Sequence, residues 1–403
     1  MTAARAGGPA MLDRIAYAGM FVFGIVMALL GAVMPVLSAR LSLGLDDVGT
    51  LFLVTNGAML AASLFVGPAM DRFGLKAPLA AGAFLVAGAL AGIAFAPTLG
   101  GLLAAVTALG LGGGALNAST NTLVADLHED PEEKASALNL LGVFFGFGAL
   151  MLPFSVGALL SAVGLAGLLT ATSALCAATG AVTAMLRFPA PKQAHGWPIA
   201  EMRRFARMPL VLALAFLLFF QSGNEFVLGG YFSTFLTTEL TVPVASASYL
   251  LAAYWAAIMA SRIFLSRVVA RTGASRIVLG GAALAAIGAL GVAAAQSIPL
   301  AVAAVLLTGF ALAGIFPTVL GIAGAAFSDH SGTVFGILFT VALTGGMTMP
   351  WIAGHLAARA GLRAVFVLAA VNFTAIAVLN AIARRAAPAA SMPSDANRYP
   401  KAT

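Results

Sequence analysis

Apolar runs of twenty or more residues follow one another along almost the whole chain, with only short polar breaks between them. A membrane-spanning helix needs roughly 20 such residues, because it rises about 1.5 Å per residue and the hydrocarbon core of a bilayer is about 30 Å thick. The strands of a transmembrane barrel alternate polar and apolar side chains, and these runs do not. The sequence therefore predicts an all-α protein that crosses the membrane many times.

Charged residues, proline and glycine delimit twelve such runs. The first six predicted helices cover 15–40, 48–71, 77–97, 99–125, 135–161 and 165–187. The next six cover 209–237, 244–270, 275–296, 298–327, 333–358 and 362–384. We predict an N-terminal six-helix half at 1–187, a cytoplasmic linker at 188–208, a second half at 209–385 and a disordered cytoplasmic tail at 386–403.

The composition excludes several other classes of protein. Hydrophobic residues make up 61% of the 403 and charged residues only 9%, which leaves no segment for a soluble catalytic domain. Cys176 is the single cysteine, so neither a disulfide framework nor a thiolate metal site can form. The chain has no Walker pattern, and its basic residues are dispersed. We therefore expect no enzymatic activity, no cofactor, no metal and no nucleic-acid partner.

The distribution of basic residues predicts the orientation in the membrane. With an even number of spans, both termini lie on one side, and seventeen Lys and Arg residues fall on that side. The opposite side has three, namely Arg40, Arg359 and Arg363. Because loops rich in Lys and Arg stay in the cytoplasm, we predict a multi-pass protein of the bacterial inner membrane with both termini cytoplasmic.

An internal repeat supports the division into two halves. The pattern G-x4-P-x3-G occupies 148–157 in the fifth predicted helix and 345–354 in the eleventh, an offset of 197 residues. The same offset pairs Gly112 with Gly309. The repeat and the charge distribution together favour two parallel six-helix repeats related by an axis along the membrane normal.

The segment after the second predicted helix, 67–76, reads GPAMDRFGLK. It resembles the G-x-x-x-D-R-x-G-x-K/R loop signature of the major facilitator superfamily. Glycine allows close helix approach and a tight turn there, and the acid can pair with a helix N-terminus or a basic partner. The resemblance implies the twelve-helix major facilitator fold, a monomer surrounded by membrane lipid, and a conformational-gate loop formed by Gly67, Asp71, Arg72, Gly74 and Lys76.

A narrower resemblance covers segments 117–124, 137–149, 223–234 and 315–318. These segments are similar to the fucose/glucose (hexose) proton-symporter branch of that superfamily. The resemblance implies symport of a sugar with a proton. The sequence departs from the branch in its first helix, where members can carry an acid and 15–37 has none.

Glu225 is the one acidic residue that lies well inside a predicted span. An ionised carboxylate is costly in hydrocarbon, so such a group faces a cavity, finds a partner or takes up a proton. Burial favours the protonated form of a carboxyl group, and proton coupling needs a group that binds and releases protons near neutral pH. We predict that Glu225 is the proton-coupling residue. The alternative is that it only hydrogen-bonds a neighbouring helix.

Amides and aromatic rings near this acid suggest a sugar site. Amide groups pair with sugar hydroxyls, and an aromatic plane packs on a sugar ring. Each amide can instead bond a neighbouring helix, and Arg262 in the eighth span is expected to pair structurally rather than to bind an anion. The predicted substrate-binding residues are Asn117, Asn121, Gln221, Asn224, Tyr231, Tyr254, Trp255 and Trp351.

The leading hypothesis is secondary active transport of a small neutral sugar, a hexose, by proton-coupled alternating access. The main alternative on the same fold is proton-antiporting efflux of amphipathic drugs or metabolites. Facilitated diffusion without a coupled proton and a non-transporting receptor remain open. The sequence leaves the substrate, the coupling ion, the direction of transport and the oligomeric state undetermined.

Overall fold

The computed structural model describes residues 8–128, 130–189, 199–327 and 330–386, where every regular element is a helix. The first six helices are α1 Pro9–Leu41, α2 Leu45–Phe73, α3 Lys76–Phe95, α4 Leu99–Leu127, α5 Pro131–Met185 and the short α6 Ile199–Phe205. The others are α7 Pro209–Glu239, α8 Val244–Thr272, α9 Ala274–Ala294, α10 Ile298–Leu312, α11 Ile315–Ala326, α12 Ser331–Ala360 and α13 Arg363–Ala386.

The described residues form twelve membrane crossings. In the described parts of the chain, eleven helical stretches are long and apolar enough to span a bilayer, with α10 and α11 forming one of them, Ile298–Ala326. The stretch Ser136–Met185 has 50 residues, or about 75 Å, more than twice the thickness of the hydrocarbon core. It bends at Gly164, whose φ of 68° is left-handed. α5 therefore crosses twice, and the predicted all-α, twelve-span fold is confirmed.

The repeated glycine pattern marks the same helix contact in each half. A Cβ on Gly148 of α5 would overlap the carbonyl oxygen of Phe21 in α1. A Cβ on Gly345 of α12 would overlap the carbonyl oxygen of Phe219 in α7. Glycine is needed at both places because the two helix backbones touch. The first and fifth spans thus pack as the seventh and eleventh do, as expected for two six-helix repeats.

The predicted pairing of Gly112 with Gly309 is wrong. A Cβ on Gly82 would lie 3.0 Å from the carbonyl oxygen of Gly112, and a Cβ on Gly281 would lie 2.7 Å from that of Ala311. Gly112 therefore corresponds to Ala311, an offset of 199. The offset falls to 197 by the fifth span, because the first half has two more residues between its fourth and fifth spans than the second half has between the equivalent spans.

The two halves touch at one end of the bundle and separate at the other. We call the end where α1 begins and α13 ends the terminal end, and the opposite end the far end. On α12, Gly354 packs against the α2 backbone, and a Cβ on Gly49 of α2 would lie 3.0 Å from the Trp351 carbonyl oxygen. Gly67 and Gly336 lie on the same helix faces, five turns nearer the terminal end, and neither has any atom within 4 Å of a Cβ placed there.

The contact between α5 and α8 opens in the same direction. Gly157 packs against the ring of Tyr249, and Gly146 packs against Met259. Gly142, one turn closer to the terminal end on the same face, has open space in front of it. The bundle is therefore closed at its far end and open at its terminal end.

The predicted linker and tail fall mostly outside this description. Within 188–208 the structure has the short helix α6, whereas residues 190–198 lie outside the described residues. Ala386 ends α13, and the remainder of the predicted tail, 387–403, also lies outside them. The boundaries of the halves therefore stay predictions.

Candidate functional site

Glu225 lies near the middle of α7. Sixteen residues separate it from the start of the helix at Pro209 and fourteen from the end at Glu239, or about 24 and 21 Å. Its neighbours Asn224 and Phe226 are buried, but the Glu225 side chain is partly exposed. Because the far end is closed, the exposed part of this carboxyl group faces space that is reached from the terminal end.

Gln221 positions this carboxyl group. It lies one helical turn before Glu225, and its Nε2 donates a hydrogen bond to Glu225 Oε2 at 3.1 Å. The Gln221 side chain is only 1% exposed, and its Oε1 has no hydrogen-bond partner. A buried amide oxygen without a donor is uncommon in native proteins. Gln221 can therefore accept one bond from a ligand while it holds Glu225.

An aromatic pair on α8 faces the same region. The rings of Tyr254 and Trp255 pack edge to face with centroids 5.6 Å apart. A Cβ on Gly229, one turn after Glu225, would lie 3.4 Å from the indole. The Tyr254 hydroxyl and the Trp255 indole nitrogen are buried and have no partner. The contact with Gly229 places the two rings about one helical turn from Glu225.

Arg262 follows Trp255 by two helical turns on α8. Its guanidinium carbon lies 6.0 Å from the centroid of the Phe145 ring, and the Trp255 indole packs edge-on against the same ring at 6.5 Å. The Arg262 Nε is buried without a hydrogen-bond partner, although the side chain as a whole is partly exposed. The expected structural ion pair is not found among the described residues, so this site carries a basic residue that the sequence reasoning had left out.

The two asparagines of α4 bond each other. Asn121 Nδ2 donates to the backbone oxygen of Asn117 at 2.8 Å and to its Oδ1 at 3.1 Å. Both side chains are partly exposed. In the described part of the chain neither forms a hydrogen bond to another helix, so the pair has capacity left for a ligand.

Three other predicted residues make contacts away from the Glu225 carboxyl group. Asn224 is fully buried; its Nδ2 donates to the Ala369 carbonyl oxygen at 3.0 Å, and its Oδ1 accepts from Asn372 at 2.9 Å. The Tyr231 hydroxyl donates to the Pro350 carbonyl oxygen at 2.8 Å in the far-end contact. Trp351, 38% exposed, packs on His355. The structure does not bring these three side chains together with the Glu225 carboxyl group.

Replacing Asn224 tests its role. We expect Asn224→Leu to lower the free energy of unfolding by about 1 kcal/mol, because it removes two bonds to α13 and leaves the Asn372 amide short of a partner. A double-mutant cycle with Asn372→Leu should show that the two losses are not additive. Ligand affinity should be unchanged; a tenfold loss of affinity with unaltered stability would instead place Asn224 in the binding site.

Asn56 of α2 is a second polar residue that the sequence reasoning missed. It lines a cavity of about 10 Å³ beside Phe226, and its buried Oδ1 has no partner. The sequence did contain a signal for Asn56. Like Asn117, it is an amide side chain inside an apolar span.

The predicted gate loop is a tight turn between α2 and α3. The left-handed Gly74, with a φ of 77°, donates its N–H to the Met70 carbonyl oxygen at 2.8 Å. The Arg72 guanidinium lies 5.2 Å from the neighbouring Phe73 ring, and α3 begins at Lys76. The side chain of Asp71 lies outside the described residues, so its predicted pairing stays a prediction.

Within the described ranges, no group of three His, Cys, Asp or Glu side chains is placed to hold a metal ion.

The sequence profile of the Major Facilitator Superfamily matches residues 16–220 and 214–401, one copy for each half. The chain belongs to the major facilitator superfamily. As a member, it is a transporter that crosses the membrane many times and binds small molecules.

Solved structures of other major facilitator proteins share the fold. A bacterial homologue of the human lysosomal transporter Spinster, inward-facing and unoccupied, has a TM-score of 0.78, 16% identity and coverage of 94% of this chain and 97% of its own. The nucleoside transporter NupG (D323A mutant) has a TM-score of 0.77 and 15% identity, with coverage of 93% of this chain and 99% of its own. The Escherichia coli fucose:proton symporter FucP (N162A) has a TM-score of 0.65 and 16% identity, with coverage of 92% of this chain and 98% of its own. No curated protein sequence matches the chain.

Proposed function

We propose that this transporter is a secondary active symporter that moves a small sugar together with a proton. The observation that carries the proposal is Glu225, a partly exposed carboxyl group in the middle of α7. An ionised carboxylate at that depth is costly, and protonation removes the cost. A bundle that opens alternately at its two ends would let this group receive a proton on one side and release it on the other.

The substrate class rests on amide groups of α4 and α7 and on the Trp255 ring. Gln221 Oε1 and the Asn117–Asn121 pair have free hydrogen-bonding capacity, and the Trp255 ring lies against Gly229, one turn from Glu225. Hydroxyl-rich solutes match such a combination of amides and rings. Two structures of the same fold are described as a fucose:proton symporter and a nucleoside transporter; both of those solutes contain a sugar ring.

We infer the orientation of the protein in the membrane from the charge distribution. Because Lys and Arg concentrate at the terminal end, we place that end in the cytoplasm of a bacterium and the protein in its inner membrane. The open terminal end then corresponds to an inward-facing state. Uptake begins when the bundle opens at its far end.

Reconstituted protein tests the proposal. Proteoliposomes that enclose a pH-sensitive dye should become more acidic inside when a transported sugar is added outside, because each sugar brings in a proton. A panel of hexoses, pentoses and nucleosides identifies the class. If no sugar moves protons, and amphipathic cations instead drive protons outward, the protein is an efflux antiporter and the proposal fails.

A further inference from the structure

Three buried hydrogen-bond donors on α8 have no acceptor. They are the Tyr254 hydroxyl, the Trp255 indole N–H and the Arg262 Nε–H. Native proteins leave few buried polar groups unpaired, and a cluster of them calls for a specific explanation. Indole and guanidinium groups can only donate, so the group that satisfies this cluster must be an acceptor.

The donors share one side of α8 and one aromatic neighbour. Arg262 follows Trp255 by seven residues, which is two turns on the same helix face. The Phe145 ring lies between them, 6.0 Å from the guanidinium carbon and 6.5 Å from the indole centroid. Tyr254 contacts Trp255 at 5.6 Å between ring centroids. Tyr254 and Trp255 lie side by side and Arg262 lies about 10 Å further along the helix, so a solute of sugar size that lies along this side of α8 can meet donors at both levels.

The charge of Arg262 is also unpaired. The ion pairs found in the described ranges join His128 to Asp13 and Arg363 to Glu239, at 3.2 Å in both cases. Neither involves Arg262. A guanidinium group inside a membrane span without a carboxylate partner is costly, and such residues face substrate pathways. The missing acceptor is therefore expected to be negatively charged.

Glu225 lies at almost the same depth as Arg262. The contact between Trp255 and Gly229 fixes the relative height of α8 and α7. From that contact Glu225 lies about 6 Å and Arg262 about 10 Å nearer the terminal end. The proton-binding group and the unpaired cation thus belong to one layer of the site.

We propose that Tyr254, Trp255 and Arg262 form an anion subsite, and that the transported sugar is an acidic sugar whose carboxylate binds Arg262. The inference rests on the proposed function, since it takes the cavity to be a sugar site. It replaces the neutral hexose expected from the sequence with a sugar acid. A planar guanidinium group matches a carboxylate better than any other side chain does.

The charges give a reason for coupling. With Glu225 ionised, Glu225 and Arg262 cancel, and a bound carboxylate leaves one excess negative charge. With Glu225 protonated, the carboxylate neutralises Arg262. Proton and sugar acid therefore favour each other's binding, and by linkage the effect is reciprocal.

Binding to the purified full-length protein in detergent, without any gradient, tests the subsite. The probes are glucuronate, its methyl ester and glucose, which differ mainly in charge, and affinity is read from calorimetry and from the ligand-induced rise in melting temperature. We expect glucuronate to bind about 10- to 100-fold more tightly than the ester or glucose. Arg262→Gln should abolish that preference, Arg262→Lys should keep part of it, and Glu225→Gln should tighten glucuronate binding.

Controls separate the subsite from the proposed function. Arg14→Gln, at an exposed site near the terminal end, should leave the preference intact. Equal affinity of wild-type protein for glucuronate and its ester, or an undiminished preference in Arg262→Gln, overturns the anion subsite, whereas the sugar symport proposal survives if either neutral ligand binds and moves protons. If Arg262→Gln fails to fold, the affinities of the wild-type protein for glucuronate and for its methyl ester still show whether the anion subsite exists.

Discussion

Proteoliposomes that contain the Glu225→Gln variant are expected to equilibrate substrate across the membrane but not to accumulate it. Glutamine has the shape and hydrogen bonds of the protonated acid, so the site can bind and both halves can rock, but no proton is carried. With a pH difference of one unit, wild-type symport of one proton can concentrate substrate about tenfold. The variant should stop at a ratio of about one, measured as steady-state uptake.

Counterflow distinguishes lost coupling from lost folding. Vesicles preloaded with unlabelled substrate should exchange it for labelled substrate at a similar rate in the variant and the wild type, because exchange needs no net proton movement. Glu239→Gln is the matched control on the same helix, since Glu239 pairs with Arg363 at the far end at 3.2 Å and should retain accumulation. Tenfold accumulation by Glu225→Gln would remove Glu225 from the coupling mechanism.

The second large effect is expected for Gly354→Leu. Gly354 packs directly on the α2 backbone, so a leucine there separates α2 from α12 at the far end. Overpacking costs about 1 to 3 kcal/mol, which shifts a two-state ratio about 5- to 150-fold. The population should move from the state open at the terminal end to the state open at the far end.

Spin labels at the terminal ends of the same two helices report this shift. Phe73→Cys and Gly332→Cys are exposed positions, and Cys176, the only native cysteine, can first be replaced by alanine. Electron-spin distance measurements should show a shorter separation once Gly354→Leu is added. Gly88→Leu, at a position where an added Cβ meets no atom within 4 Å, should leave the distances unchanged. Unchanged distances with Gly354→Leu would show that the far-end contact does not control the equilibrium.

The helices could be predicted because each crossing needs its own apolar run, and even the bend at Gly164 falls between the fifth and sixth predicted helices. The orientation of individual side chains could not be predicted. α7 is buried around almost its whole circumference, so no polar face indicates that Gln221 turns to Glu225 while Asn224 turns to α13. The residue offset between equivalent positions of the two halves changes from 199 to 197 because the loops differ in length. The apolar runs carry no information on loop length. The sequence offers no means to tell whether Arg262 has an ionic partner, and among the described residues it has none.

The glycine contacts that close the far end limit how this transporter can evolve. At Gly31, which packs on the Gly229 backbone, and at Gly354, even one added methyl group would overlap main-chain atoms. Such positions have no intermediate substitution, so selection cannot adjust the gate there in small steps. The balance between the two open states can be adjusted gradually only by the side chains around these contacts, such as Phe52 and Tyr231, whose rings meet 5.9 Å apart.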